Sequence, residues 1–287
     1  METEGSIMKK FLIISLAFAV IFISGFFIAE KFFPAETYIA KSFVTDYSEN
    51  SFPSPEKENF EEGSDLAELL ENGAVLNDSL LLINEEHPFP EDYSPELIDL
   101  GGVFVNFCAV NAYKNISEDI KEKFDNSLYI MSAFRTREEQ RKIIESGNEF
   151  AASVDSGEHL SGLALDVYVK YHAGMGFLDS EEGQFANSFC QDYGFIIRYP
   201  YYGEEITGIP FEPWHLRYVG LLHSKIIAEN NLTLEEYIES FMPGKIYYYN
   251  EYFISRQKTE EIFIPEGFSE IIISSDNTGY YFITGKQ

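Results

Sequence analysis

Near its start the chain carries an uncharged, mostly apolar run. Phe11 to Ala29 (FLIISLAFAVIFISGFFIA) carries no charge over 19 residues. As a helix it would be about 28 Å long, close to the roughly 30 Å hydrocarbon thickness of a bilayer. Lys9 and Lys10 precede it, so the run predicts an uncleaved signal-anchor, residues 1–30, with a cytoplasmic N-terminus and the rest of the chain outside. A cleaved signal peptide is the alternative. It wants small residues at the −1 and −3 positions, whereas Phe27 lies two before Ala29 and Phe33 two before Ala35. Residues 31–65 then turn polar and acidic, with Pro34, Pro53 and Pro55, and predict an extended linker.

Beyond the linker the pattern alternates between helical and strand periods. Leu66–Leu70 predicts a short helix and the run Leu80–Asn84 a buried strand, while Pro88 and Pro90 force an extended segment around His87 to Tyr93. Residues 119–124 read as helix. Leu128–Phe134 reads as a strand delivering Arg135, and Thr136 with Glu139 has capping-box spacing for a helix running to Gly147. In the strand predicted over 162–169, Leu163, Leu165 and Val167 share one face and Ala164, Asp166 and Tyr168 the other. A helix over 181–193 ends at Gly194, strands follow at 195–199 and 213–219, and a helix at 221–228. Thr233 with Glu236 opens a last helix, stopped by Pro243-Gly244. After Lys245 strands dominate (246–255, 261–265, 270–274, 280–284), with hairpin chemistry at 275–279. These elements predict an α+β domain over 66–244 and a β-rich extension over 245–287, either an added sheet on the same domain or a small binding module.

Charge narrows the partners. A net charge of −28 argues against nucleic acid and against attraction to anionic lipid headgroups. Cys108 and Cys190 stand beside Phe107 and Phe189 and in no metal spacing; they read as buried free thiols.

The chemistry concentrates in two blocks. One is Ser156-Gly157-Glu158-His159-Leu160-Ser161-Gly162-Leu163-Ala164-Leu165-Asp166, the other Glu212-Pro213-Trp214-His215-Leu216-Arg217. His159 from a turn, Asp166 from a strand and His215 from a remote strand supply the three protein ligands of a catalytic Zn2+ site. Glu212 is placed to act as the general base on a zinc-activated water. Glu158 is the rival base, but next to His159 in extended chain it should point the other way. Arg135 offers a planar fork for a substrate carboxylate or oxyanion. His87, His172 and His223 read as structural histidines, Phe211 and Trp214 by residue type fit a core, and Arg198 is expected to pair with an acid.

With these residues in view, residues 80–241 resemble the zinc D-alanyl-D-alanine carboxypeptidases of the VanY type. Carrying the resemblance are the segment from Leu82 to Tyr93, Ser132-Ala133-Phe134-Arg135-Thr136 with Gln140, the two blocks above, and Tyr193-Gly194-Phe195-Ile196-Ile197-Arg198-Tyr199-Pro200. The resemblance implies a small, mostly antiparallel sheet with flanking helices, the hedgehog-like zinc peptidase fold. It implies zinc at His159, Asp166 and His215, Glu212 as base, Arg135 on substrate, and removal of the terminal D-alanine from peptidoglycan stem peptides. Gln140, Ser161 and Trp214, in the same blocks, join Arg135 as expected substrate contacts. Leu160, where Gln is usual, and Phe134, where Tyr is common, depart from the pattern. The expectation is thus a single-pass, outward-facing membrane carboxypeptidase, most simply a monomer. An L,D-carboxypeptidase or wall endopeptidase on the same scaffold, or a non-catalytic wall-binding protein, are the alternatives.

Overall fold

Residues 28–45, 52–53, 55–56, 63–91, 93–146 and 153–287 of a computed structural model are described here, and they build a four-stranded and a six-stranded sheet with helices packed on their faces, together with a two-stranded antiparallel ribbon over 97–106. In chain order the elements are α1 (Pro34–Thr45), β1 (Pro55–Glu56), α2 (Leu66–Glu71), β2 (Val75–Leu76), β3 (Leu97–Asp99) and β4 (Phe104–Asn106). Next come α3 (Phe107–Phe124), β5 (Leu128–Ser132), α4 (Arg137–Glu145), β6 (Ala164–Val169), α5 (Glu181–Phe189) and β7 (Phe195–Ile197). The last are α6 (Glu204–Thr207), β8 (His215–Tyr218), α7 (Leu221–Glu229), α8 (Leu234–Ser240), β9 (Ile246–Tyr249), β10 (Tyr252–Gln257), β11 (Ser269–Ser275) and β12 (Tyr281–Lys286).

The first sheet runs β5-β6-β8-β7, every neighbour antiparallel. Its polarity follows the period-two alternation of the strands. Leu165, Val167 and Val169 of β6 and Leu216 of β8 are fully buried in one core with Ile116 and Ile120 of α3. Burying each such side chain stabilises by roughly 1.5–3 kcal/mol. That choice of face sends Asp166, His215 and Arg217 to the other side. The register then sets Asp166 directly opposite His215. Helices α4 and α8 begin with complete capping boxes at Thr136 and Thr233, as the spacing predicts.

The second sheet runs β1-β9-β10-β12-β11-β2, antiparallel except where β2 meets β11. One face sets Tyr247, Ile254 and Phe282 against Ile226 of α7, Leu234 and Tyr237 of α8, and Phe241, which caps α8. The other buries Phe253, Ile273 and Ile283 with Leu69 and Ile262. The extension therefore shares a core with the last helices of the preceding unit, and its 275–279 hairpin reaches further. Asn277 Nδ2 donates to the carbonyls of Leu82, His87 and Pro88 at 2.9, 3.3 and 3.0 Å.

Several expectations are corrected. Leu80–Ile83 is buried but is no strand: Leu80 N donates to Ser274 Oγ and Leu82 N to the Asp276 carbonyl, so its donors are met without a ladder. Residues 34–45 form a helix rather than extended tether, Pro34 taking the first helical position, where its missing N–H costs nothing. Helix α3 starts at Phe107 rather than 119, capped by Asn106. The 246–255 strand is two strands hinged at Asn250, whose φ is 52°. Over 261–265 only an isolated bridge forms, Ser64 to Ile262. Cys108 and Cys190 are both free thiols. Most of the expected membrane span, residues 11–27, lies outside the described residues, as does Gly147. No helix among the described residues is long and apolar enough to cross a membrane.

Candidate active site

His159, Asp166 and His215 meet at the open face of the first sheet, each offering one ligand atom, all within 4.8 Å of one another. His159 comes from a 3-10 turn, Glu158–Ser161, that ends at Gly162 with φ 69°. A side chain at Gly162 would be strained by that φ and would meet Leu97 Cδ2 at 2.8 Å and Asn106 N at 3.0 Å, so the turn needs glycine. His159 Nδ1 donates to the Ala133 carbonyl at 2.7 Å, which turns Nε2 toward Asp166 Oδ2, 3.0 Å away. His215 Nδ1 lies 3.1 Å from Asp166 Oδ1 and 3.3 Å from Glu212 Oε2.

The donor set fits a divalent cation. Two imidazole nitrogens and a carboxylate converge, and Asp166 Oδ1 is buried without a hydrogen-bond partner, an expensive state unless something cationic satisfies it. Burial pushes the Asp166 carboxyl up, but His159 and His215 outweigh it and hold it far below the usual range. Burial pulls His215 down, while Asp166 and Glu212 raise it to about 10.

Arg135 lies three residues past the end of β5, in the same cleft. Its Nη1 donates to Gln140 Oε1 at 2.7 Å and Nη2 to Ser132 Oγ at 2.9 Å, with Asp166 Oδ2 at 4.0 Å. Gln140, almost wholly buried, thus braces Arg135 as well as lining the cleft. The cleft holds about 300 Å³, and Glu212, Trp214, Tyr199, Ile209 and Met131 also line it. A larger cavity of about 430 Å³ lies beside α1 and has no His, Asp or Glu among its described lining residues.

One expectation needs correcting and three are sharpened. Ser161 does not face substrate: it is buried, its hydroxyl donating to the Glu158 carbonyl at 2.6 Å and accepting from Leu163 N at 3.1 Å, so it closes the turn. Glu158 is no base. It is fully buried beneath the site, its Oε1 accepting from Arg198 Nε at 2.7 Å and Arg217 Nη1 at 2.8 Å. Burial raises its pKa, but the two guanidiniums prevail and keep the carboxyl below its ordinary value. Arg198 finds its expected acid twice, since its other nitrogens grip Glu235 at 2.8 and 2.6 Å. Trp214 lines the cleft and also packs on the first core. Sequence reasoning missed Arg217 and Tyr199; Arg217 had a signal, standing two residues beyond His215 and so on the same strand face. His172 and His223 lie apart from the cluster, bonded to the Gly176 carbonyl and the Tyr237 hydroxyl.

Residues 104–221 match the VanY family, described as D-alanyl-D-alanine carboxypeptidase. A D-alanyl-D-alanine carboxypeptidase of Enterococcus faecium is 31% identical over 251 residues, covering 81% of this chain and 79% of the relative. The crystal structure of the D,D-dipeptidase VanXYg, complexed with a D-Ala-D-Ala phosphinate analog, superposes with a TM-score of 0.62 at 29% identity, over 73% of this chain and 94% of that one. A VanY D,D-pentapeptidase variant from a VanB-type resistance cassette, in complex with Zn(II), gives 0.51 at 28% identity, over 56% and 99%. The fold and the cleft define an α+β peptidase. The chain belongs to the VanY family of D-alanyl-D-alanine carboxypeptidases.

Proposed function

We propose that this chain is a zinc-dependent D,D-carboxypeptidase that removes the terminal D-alanine from peptidoglycan stem peptides. The observation that supports this reading is the convergence of His159, Asp166 and His215 beside Glu212 in one cleft. His159 Nε2, an Asp166 oxygen and His215 Nδ1 would hold the ion. Bound zinc supplies an acidified water and Lewis-acid polarisation of the scissile carbonyl. Glu212 takes a proton from the attacking water and returns it to the departing amine as the C–N bond breaks. Arg135, braced by Ser132 and Gln140, aims its free N–H groups at the anionic oxygens of the substrate. Trp214, Ile209 and Met131 give the cleft apolar walls that strengthen those contacts.

The test combines metal analysis with mass spectrometry of a stem pentapeptide. Wild type is expected to bind one zinc and release a single alanine. Glu212→Gln is expected to keep the zinc and lose turnover by about 10²–10⁴-fold, the usual worth of a general base. Retained turnover in that variant would refute the assigned base, and cleavage of a tetrapeptide alone would replace this activity with the L,D one. The same proposal assigns 66–244 to the catalytic unit and 245–287 to an extension packed on it. It sets both outside the cell membrane, anchored through residues 11–29. Protease added to intact protoplasts is expected to digest them, and protection would overturn that placement.

A further inference from the structure

We propose that Glu158 is a positioning residue that dictates which ring nitrogen of His215 faces the cleft; this rests on the metal reading above. Two buried polar atoms beneath the site lack hydrogen-bond partners, Glu158 Oε2 and His215 Nε2, and they face each other 3.9 Å apart. An ionised carboxylate oxygen only accepts. One arrangement suits both atoms: His215 carries a proton on Nε2, directed at the Glu158 carboxylate in an ion-pair contact longer than a formed hydrogen bond. Nδ1 is then the nitrogen whose lone pair is directed into the cleft, where Asp166 Oδ1 and Glu212 Oε2 lie 3.1 and 3.3 Å away.

The surroundings hold Glu158 in place and in charge. Its other oxygen takes Arg198 and Arg217, both buried, and Arg198 is clamped by Glu235, which also accepts from Asn84 Nδ2 at 3.2 Å. Two guanidiniums and two carboxylates give this buried group no net charge, so Glu158 stays anionic without disturbing the site above. His159 is fixed in the opposite sense, its Nδ1–H going to the Ala133 carbonyl and leaving Nε2 for the cleft. The two histidines thus use different nitrogens, each selected by the acceptor behind it. A carboxylate behind an imidazole also raises its basicity as a ligand. Glutamate at 158 is therefore a support for His215 rather than a second base.

The experiment uses the full chain loaded with zinc and labelled with ¹⁵N-histidine. Two-bond ¹H–¹⁵N correlation is expected to show His215 protonated at Nε2, with a downfield, slowly exchanging proton. Glu158→Gln keeps the shape but turns an amide N–H₂ either toward His215 Nε2 or toward the guanidiniums. In chelator competition it is expected to weaken zinc binding about 10–100-fold, with an unchanged far-UV circular dichroism spectrum. A role in packing alone would lower the melting temperature and leave both the affinity and the Nε2–H signal intact. The proposal is overturned if loaded wild type shows His215 protonated at Nδ1, or if folded Glu158→Gln binds zinc within twofold of wild type. Should the variant fail to fold, the wild-type tautomer decides alone. Wild type that binds no zinc removes the metal reading and this proposal together, whereas unchanged zinc affinity in Glu158→Gln removes only the latter.

Discussion

Replacing Arg198 with methionine is the most severe test of the buried ion group, because this side chain is 1% exposed and joins both carboxylates. Methionine fills much of the aliphatic stem but supplies no donor. Three charge-assisted hydrogen bonds of 2.6–2.8 Å vanish. Glu158 keeps Arg217, but Glu235 keeps only Asn84 Nδ2 as a side-chain donor. Breaking a buried pair by removing one partner costs about 3–5 kcal/mol, since the remaining charge is stranded in low dielectric. At roughly 2–4 °C per kcal/mol for a unit of this size, Arg198→Met is expected to melt about 6–20 °C below wild type. The measurement is a circular dichroism melt with urea titration at pH 7. Adding Glu235→Leu removes the stranded charge, so the double variant is expected to regain at least about 2 kcal/mol over the single one. A single-variant loss under about 1 kcal/mol, or strict additivity of the pair, would refute the energetic role of the group.

Arg135→Lys should lower kcat/KM by about 10²-fold with zinc content unchanged, because an ammonium cannot span Gln140 and Ser132 and still present a planar fork. His223, buried beneath Tyr237, is held down to about 3 by burial. Its folded pKa is below the unfolded value of 6.5, so its contribution is full above pH 6.5 and lost as pH falls toward 3. Stability is expected to drop about 1 kcal/mol through this group between pH 6.5 and 5.5, and urea titrations of His223→Phe should lack that component. Asn277→Ala is expected to cost about 1–2 kcal/mol, chiefly by leaving the Leu82 carbonyl without a donor, since the His87 carbonyl keeps Asn84 N and the Pro88 contact is exposed. Asn277→Gly should cost less, since φ is 60° there.

Much of the catalytic sheet was legible from the order of residues. Alternation in Leu163-Ala164-Leu165-Asp166-Val167-Tyr168 told which side chains face the core, and capping boxes at Thr136 and Thr233 marked helix starts that the structure reproduces. These are local signals, in which each residue's preference is set within a few neighbours. The buried irregular run Leu80–Ile83 was misread for the complementary reason. An apolar stretch announces burial, but whether it becomes a strand depends on who meets its N–H groups, here Ser274 and Asp276 from the far end of the chain.

At the site the division is the same. By itself the sequence determined the chemical inventory: two imidazoles, an aspartate, a nearby glutamate and an arginine at a strand end. It also determined the core-facing sides of β6 and β8, because a pleat of period two leaves no choice once Leu165 and Leu216 are buried. Only the tertiary structure decided that Asp166 lies opposite His215, that Ser161 turns inward, and that Glu158 sits beneath the cleft between Arg198 and Arg217. Those partners are 40 and 59 residues away along the chain. No local preference links residues so far apart; a charge taken out of water needs a partner, and packing alone determines which one is within reach.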